Sequence, residues 1–393
     1  MSRIVGIFEI FKTQELMFFK DITGQGAIKA KLINNIRNQR VSHAQLFLGP
    51  EGSGKLAMAI AYARYLACSE PSPEDACGTC SSCKKYNKLA HPDLSFFFPT
   101  VVKGKGEKIS GSKEQAADFR SYLEKSPYVS LNGWYSHCQL ENKQGIISAE
   151  DCNEIIRVLG YKSYESEYKV VIIWMIERLY HSAAPKLLKI LEEPPEKTLF
   201  LIVSENQDQV LNTILSRTQM VRFPRLTDPE VVEGLTVQHQ CTRQEAEQIA
   251  FLADGNYYYA LEMLNSKENL EDNTGLLREW LRACYTPDMK KIVEFSEVLS
   301  KLGRERQKAF LGFSLEVFRQ CTLLNYQANT LIKAHPAAQE FITRFSKVLT
   351  PAVAMQMSEE FSKAIYHVER NANPKILFTD LSLLSFRIMR AKQ

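Results

Sequence analysis

The 393-residue chain holds no apolar run of the roughly 18 residues that a membrane-spanning helix needs. It has no low-complexity tract and no solenoid-like repeat. Neither sign of charge dominates. With 49 Lys and Arg against 45 Asp and Glu, the net charge is only +4, too mild to demand nucleic-acid binding by itself. Glu9, Lys12 and Glu15 interrupt any signal-peptide core, so a cytoplasmic protein with no membrane partner is expected. Met17 offers an alternative start. What remains, 45% hydrophobic and 24% charged, is ordinary for packed globular domains, and the length suits two or three of them.

One motif is present but incomplete. The stretch 49-GPEGSGKL-56 begins as a phosphate-binding loop with Gly49, Gly54 and Lys55, yet places Leu56 where a Ser or Thr should be. That hydroxyl normally holds the magnesium of a bound nucleoside triphosphate. The context is otherwise correct. Residues 45–48 read as a buried strand, and 55–68, rich in Ala, Leu and Met, read as a helix.

The rest of the first half alternates in the same way. The runs 169-KVVIIWMI-176 and 198-TLFLIVSE-205 are continuous apolar strands of the kind buried in a parallel sheet, and a further strand lies within 216–223. Ser148, with Asp151 three residues on, opens a helix that runs to Gly160. Another helix spans 182–193 and is stopped by Pro194 and Pro195. Residues 103–115 (KGKGEKISGSKEQ) read as an exposed loop, and Lys103, Lys105 and Lys108 as its solvated charges. Phe96, Phe97 and Phe98 read as core strand. Beyond 227 the texture becomes helical, with long amphipathic segments including 291–303, 305–326, 328–347 and 376–391. The fold class is therefore α/β plus all-α.

Four of the nine cysteines, Cys68, Cys77, Cys80 and Cys83, fall within 16 positions. Four thiolates can surround Zn²⁺ tetrahedrally and fill its shell, which makes a structural site. Free thiols this dense would be oxidation liabilities without a metal. His91 is an alternative ligand, but reads better as a core or capping histidine. Glu192 and Glu193 are not a catalytic pair, because adjacent helical residues point about 100° apart.

Taken in order, 21-DITGQ-25, 43-HAQLFLGPEGSGK-55, the cysteine module with 91-HPD-93, 187-LLKILEEPP-195 and 213-TILSRTQ-219 resemble the delta-prime family of bacterial DNA polymerase III clamp-loader subunits, within the AAA+ class. The insert, with 132-NGWYSH-137 and 142-NKQGIIS-148, resembles the longer version of Bacteroidetes-type members. The resemblance implies a RecA-like AAA+ domain over 1–226, carrying the zinc module (68–83) and the insert (101–147). It further implies a helical lid over 227–274 and an oligomerising helical collar over 275–393.

An active AAA+ ATPase also needs an Asp–Glu pair at the end of the strand matching 169-KVVII-173; Trp174 and Met175 stand there, and neither binds a hard cation nor accepts a proton. Glu177 lies off the expected position. The arginine expected in the helical domain is replaced by Tyr258 in 255-GNYYYAL-261. The Walker A, Walker B and second-sensor positions are all degenerate, so ATP with Mg²⁺ is not expected to be hydrolysed. Gly49, Gly52, Gly54 and Lys55 are expected at most to form a vestigial phosphate site. Arg217, in 216-SRT-218 where the family has Ser-Arg-Cys, is implied to be an arginine finger acting on a neighbouring subunit's ATP. The implied partners are gamma/tau and delta in a hetero-pentamer, the beta sliding clamp, and primer-template DNA through the complex. The rival readings are an active gamma-type ATPase and an independent zinc-dependent nucleic-acid-binding protein.

Overall fold

The computed structural model describes residues 17–100, 111–138, 145–265, 269–285, 289–302, 304–328, 336–370 and 372–390. Lys103, Lys105, Lys108 and residues 142–144 lie outside them, as do Glu9, Lys12 and Glu15. The chain divides into two compact units, Met1–Leu261 and Glu262–Gln393.

The first unit is built on five parallel strands, β1 (Ala44–Leu48), β2 (Leu94–Phe97), β3 (Lys169–Trp174), β4 (Thr198–Ser204) and β5 (Gln219–Arg222), in the order β2-β3-β4-β1-β5. β1, β3 and β4 are buried along their whole length, as continuous apolar strands of a parallel sheet must be. Their register pairs Leu46 with Ile202 and Ile172 with Leu201. A five-stranded parallel sheet in this order, flanked by helices, is the α/β part expected from the sequence.

The helices are α1 (Gly26–Arg37), α2 (Lys55–Ala67), α3 (Ser81–Asn87), α4 (Ala116–Lys125), α5 (Leu131–His137), α6 (Ala149–Leu159), α7 (Ala184–Glu192), α8 (Asn212–Leu215), α9 (Asp228–His239), α10 (Arg243–Ala253) and α11 (Tyr257–Asn265). α6 starts at the expected capping box: Asp151 N–H donates to Ser148 Oγ (3.2 Å), and Ser148 N–H to Asp151 Oδ2 (2.8 Å).

The insert departs from the sequence expectation. Of the segment read as an exposed loop, Gly111, Ser112 and Gln115 are buried. Ser112 Oγ bonds both the N–H and the carbonyl of Phe98, at 3.1 Å each. Local polarity suggested solvent; tertiary hydrogen bonding to the buried residue that follows β2 overrode it. α4 and α5 then close over a cluster of rings. Phe119 stacks on Phe98 at 3.9 Å, Trp134 meets both edge-on at 5.3 Å, and Trp134 Nε1 donates to Pro99 O at 2.9 Å. Of the three phenylalanines read as core strand, Phe97 and Phe98 are buried, Phe96 is half-buried, and β2 ends at Phe97, one residue short of Phe98. Thr100 and Ile146 exchange two backbone hydrogen bonds across the base of the insert (3.0 and 3.1 Å).

The second unit is helical: α12 (Asn269–Tyr285), α13 (Met289–Lys301), α14 (Arg304–Asn325), α15 (Pro336–Phe345), α16 (Pro351–Glu369) and α17 (Pro374–Arg390). Pro336, Pro351 and Pro374 each open a helix, where a missing N–H costs nothing. Residues 329–335 of the expected 328–347 helix lie outside the described residues. Trp280 centres the core between Phe310 and Phe361, and its indole N–H donates to Ser382 Oγ at 2.9 Å. Among the described residues no helix is long and apolar enough to cross a membrane.

Candidate functional site

The phosphate loop lies between β1 and α2, with Gly52 at φ +74° and Gly54 at φ +81°, values that favour glycine. Gly49 is fixed by crowding: a Cβ there would lie 2.3 Å from the Phe223 carbonyl oxygen. The loop is closed by the protein itself. A Cβ on Gly52 would fall 1.9 Å from Asn256 Oδ1. Asn256 Nδ2 donates to Glu51 Oε1 at 3.1 Å, and Tyr257 N–H to the Gly52 carbonyl at 3.2 Å. Tyr128, from the insert, presses on Gly54, accepts from Thr23 N–H at 2.7 Å, and lies 4.6 Å ring to ring from Tyr257.

Lys55 is only 5% exposed. Its ammonium donates to the Pro50 carbonyl at 2.5 Å and to Ser53 Oγ at 3.4 Å, and lies 3.9 Å from Glu205. Burial lowers its pKa, while Glu205, Glu177 and Glu51 push it up. Three carboxylates thus share the surroundings of the one cation that would meet a phosphate, a field that repels anions. Glu177 turns toward this group and accepts from Glu205 N–H at 2.8 Å.

The positions that depart from the ATPase pattern meet the insert. Trp174, 2% exposed, packs on Phe119 at 5.5 Å. Tyr258 sends its hydroxyl to the same spot beside Gly133 as Tyr122. Leu56 is buried. Neither Tyr128 nor Asn256 nor Glu205 was legible as part of this site from the sequence.

At the other end of α2, Cys68 caps the helix and Cys80 caps α3, accepting from Cys83 N–H. The four thiol sulfurs of Cys68, Cys77, Cys80 and Cys83 lie within 4.8 Å of one another, with Cys68–Cys80 and Cys77–Cys83 both at 4.0 Å. Zinc–sulfur bonds of about 2.3 Å in a tetrahedron require sulfurs nearly this close, so the set fits a divalent metal such as zinc. Gly78, at φ +79°, makes the turn between them. The N–H groups of Cys77, Cys80 and Cys83 donate to cysteine sulfurs at 3.3, 3.4 and 3.4 Å. The backbone N–H of Cys80 draws the Cys77 thiol down to about 6, whereas burial pushes Cys68 up to about 12.

His91 stands outside this set: Nε2 bonds Ser82 Oγ at 3.1 Å, and Nδ1 accepts from Asp93 N–H at 3.2 Å. Asp93 in turn accepts from the N–H groups of Tyr164, Glu165 and Ser166 at 2.6, 2.8 and 2.9 Å. Glu165 pairs with Lys85 of α3. The His-Pro-Asp motif therefore fastens the cysteine module to the loop before β3.

Arg217 follows α8. Its Nε donates to Glu192 Oε1 at 2.7 Å, Nη2 bonds the same oxygen, and Nη1 donates to the Thr213 carbonyl at 2.9 Å. The Arg217 side chain is about one-third exposed. Glu192, at the end of α7, is its partner; the sequence had marked that pair of glutamates only as a helix stop.

The profile of the family described as DNA polymerase III, delta subunit, matches residues 24–227, more than half of the chain. This chain belongs to that family. Within the DNA polymerase III delta family it is of the delta-prime type. It is 26% identical over 254 residues to DNA polymerase III subunit delta' of Bacillus subtilis, covering 65% of this chain and 63% of that one. It is also 26% identical over 264 residues to the tau subunit of the same organism, covering 66% of this chain and 38% of that one. The chain thus spans less than two thirds of the length of these relatives. Among solved structures, a DNA polymerase III gamma subunit-related protein of Thermotoga maritima aligns with 91% of this chain and 99% of its own length, at 16% identity and a TM-score of 0.40.

Proposed function

We propose that the chain is a clamp-loader subunit that hydrolyses no ATP itself and acts on the ATP of a neighbour. The observation that carries this reading is the closed phosphate loop. Lys55 is held by its own loop carbonyl among three carboxylates, and Asn256, Tyr257 and Tyr128 occupy the loop's face. Without a metal-binding hydroxyl at 56 or acids at 174 and 175, the positional and electrostatic stabilisation of phosphoryl transfer is absent.

In this reading 1–226 is the AAA+ domain, 227–274 the lid and 275–393 the collar that joins gamma/tau and delta. The assembled ring opens the beta clamp and places it on primed DNA, as part of the polymerase holoenzyme. Arg217 is the finger. Its planar fork suits a transferred phosphoryl group, and Glu192 holds it at the chain surface until a stronger anion competes.

Steady-state ATP hydrolysis tests this, with the chain alone and mixed with gamma/tau and delta. The chain alone should give no turnover. In the mixture, Arg217→Ala should slow hydrolysis at its interface by about 10³-fold or more while the fold stays intact. An unchanged rate removes the finger assignment. Turnover by the chain alone, abolished by Lys55→Ala, would favour the gamma-type reading with Glu177 as base.

A further inference from the structure

Arg64 sits in the last turn of α2 and is 1% exposed. Its Nε, Nη1 and Nη2 have no hydrogen-bond partner among the described residues. A buried guanidinium without partners is among the costliest groups a fold can carry. One face is covered by the Phe18 ring, 3.5 Å from Cζ. That same ring lies 3.1 Å from where a Cβ on Gly78 would be, in the turn between the cysteines. Cys68 follows Arg64 by four residues, one helical turn on.

Charge explains the arrangement. A divalent metal held by four thiolates carries a net charge of about −2. Cys83 is fully buried, and Cys68 ends α2 at the negative pole of its dipole, which disfavours a thiolate. Such a centre requires a cation on its buried side. α3, which carries Cys83, packs against α2, which carries Arg64. Asp21, an acid near Arg64, directs its carboxylate to the Phe18 N–H.

We propose that Arg64 is the counter-cation of a tetrathiolate zinc centre at Cys68, Cys77, Cys80 and Cys83, stacked on Phe18 and donating N–H···S bonds to the buried thiolates. The inference rests on the zinc reading of the cluster. Arg64 is a positioning residue and not a ligand.

The full chain decides it in two steps. Elemental analysis of the wild type should give one zinc per chain; its absence overturns the zinc reading and this proposal with it. Zinc transfer to a chromophoric chelator is then timed in reducing buffer. Arg64→Met, similar in size but uncharged, should release zinc about 10–100-fold faster, and Arg64→Lys by a smaller factor. Melting curves carry a signature that simple loss of packing would not produce. Arg64→Met should lower the midpoint of the zinc-loaded chain, yet leave unchanged or raise that of the metal-free chain. Equal release rates in wild type and a folded Arg64→Met would overturn the proposal while leaving the zinc reading intact. Should Arg64→Met not fold, the Nε–H NMR signal of Arg64, assigned by its loss in Arg64→Lys, must shift when zinc is removed; a fixed signal overturns the proposal.

Discussion

The two ends of α2 have gone opposite ways. At its start, a loop shaped for phosphate has turned its polar groups inward: Lys55 meets Pro50 O, Glu51 meets Asn256, and Tyr257 N–H meets Gly52 O. At its end, four sulfurs converge and a buried guanidinium has no hydrogen-bond partner among the described residues. Buried polar atoms are almost always satisfied. Lys55 bonds the carbonyl of its own loop, which leaves a ligand little to gain there; Arg64 has all three guanidinium nitrogens unbonded among the described residues, which suits a buried anion beside it. Glu177 Oε2 and the Tyr257 hydroxyl near the loop are also buried without a partner among the described residues, so it is the partnering of the two cations that separates the ends more sharply than motif matching, which favoured the loop first.

The largest test removes the metal end. Cys80→Ser should abolish stoichiometric zinc by elemental analysis and loosen the module, because structural zinc supplies on the order of 10 kcal/mol in small zinc domains. Retained zinc would take Cys80 out of the ligand set.

An intermediate effect probes the cover over the other end. Trp134→Ala should cost about 3–5 kcal/mol by chemical denaturation, since Trp134 packs on both Phe98 and Phe119. It should still bind no fluorescent ATP analogue, because Lys55 remains tied to its loop. Micromolar binding in this variant would mean that the insert, and not the loop's own closure, keeps nucleotide out.

The smallest concerns the fastening between module and sheet. Burial raises the Asp93 pKa, but the N–H groups of Ser166, Glu165 and Tyr164 outweigh it and hold the carboxyl below its usual value. The folded pKa being depressed, its stabilisation is full above the unfolded value near 4 and fades as pH falls through the folded one. Asp93→Asn should cost about 1.5–3 kcal/mol at pH 7, with the gap to wild type closing in acid. A gap independent of pH would refute the charge-assisted clamp.

Much of the fold was legible because its signals are local. The apolar runs of β1, β3 and β4, the Ser148 capping box and the clustered cysteines each carry their meaning within a few residues. The insert did not, because its Lys- and Gly-rich opening masks the later Phe119, Tyr122, Tyr128 and Trp134, which gain a role only once the sheet places Phe98 and Trp174 beneath them. Arg64 was hidden for a related reason: an arginine in a helix's last turn reads as a surface charge until its burial is known. Glu192 and Arg217 are far apart in sequence, and their pairing required the packed structure.

The hydrogen-bonded stem at Thr100 and Ile146 has an evolutionary consequence. Because the excursion leaves and returns at one residue pair, its ends stay together whatever its length, and lengthening such a loop costs only slowly growing closure entropy. A lineage can rebuild the cover over its phosphate loop by insertion or deletion between those two residues without shifting the register of a single strand.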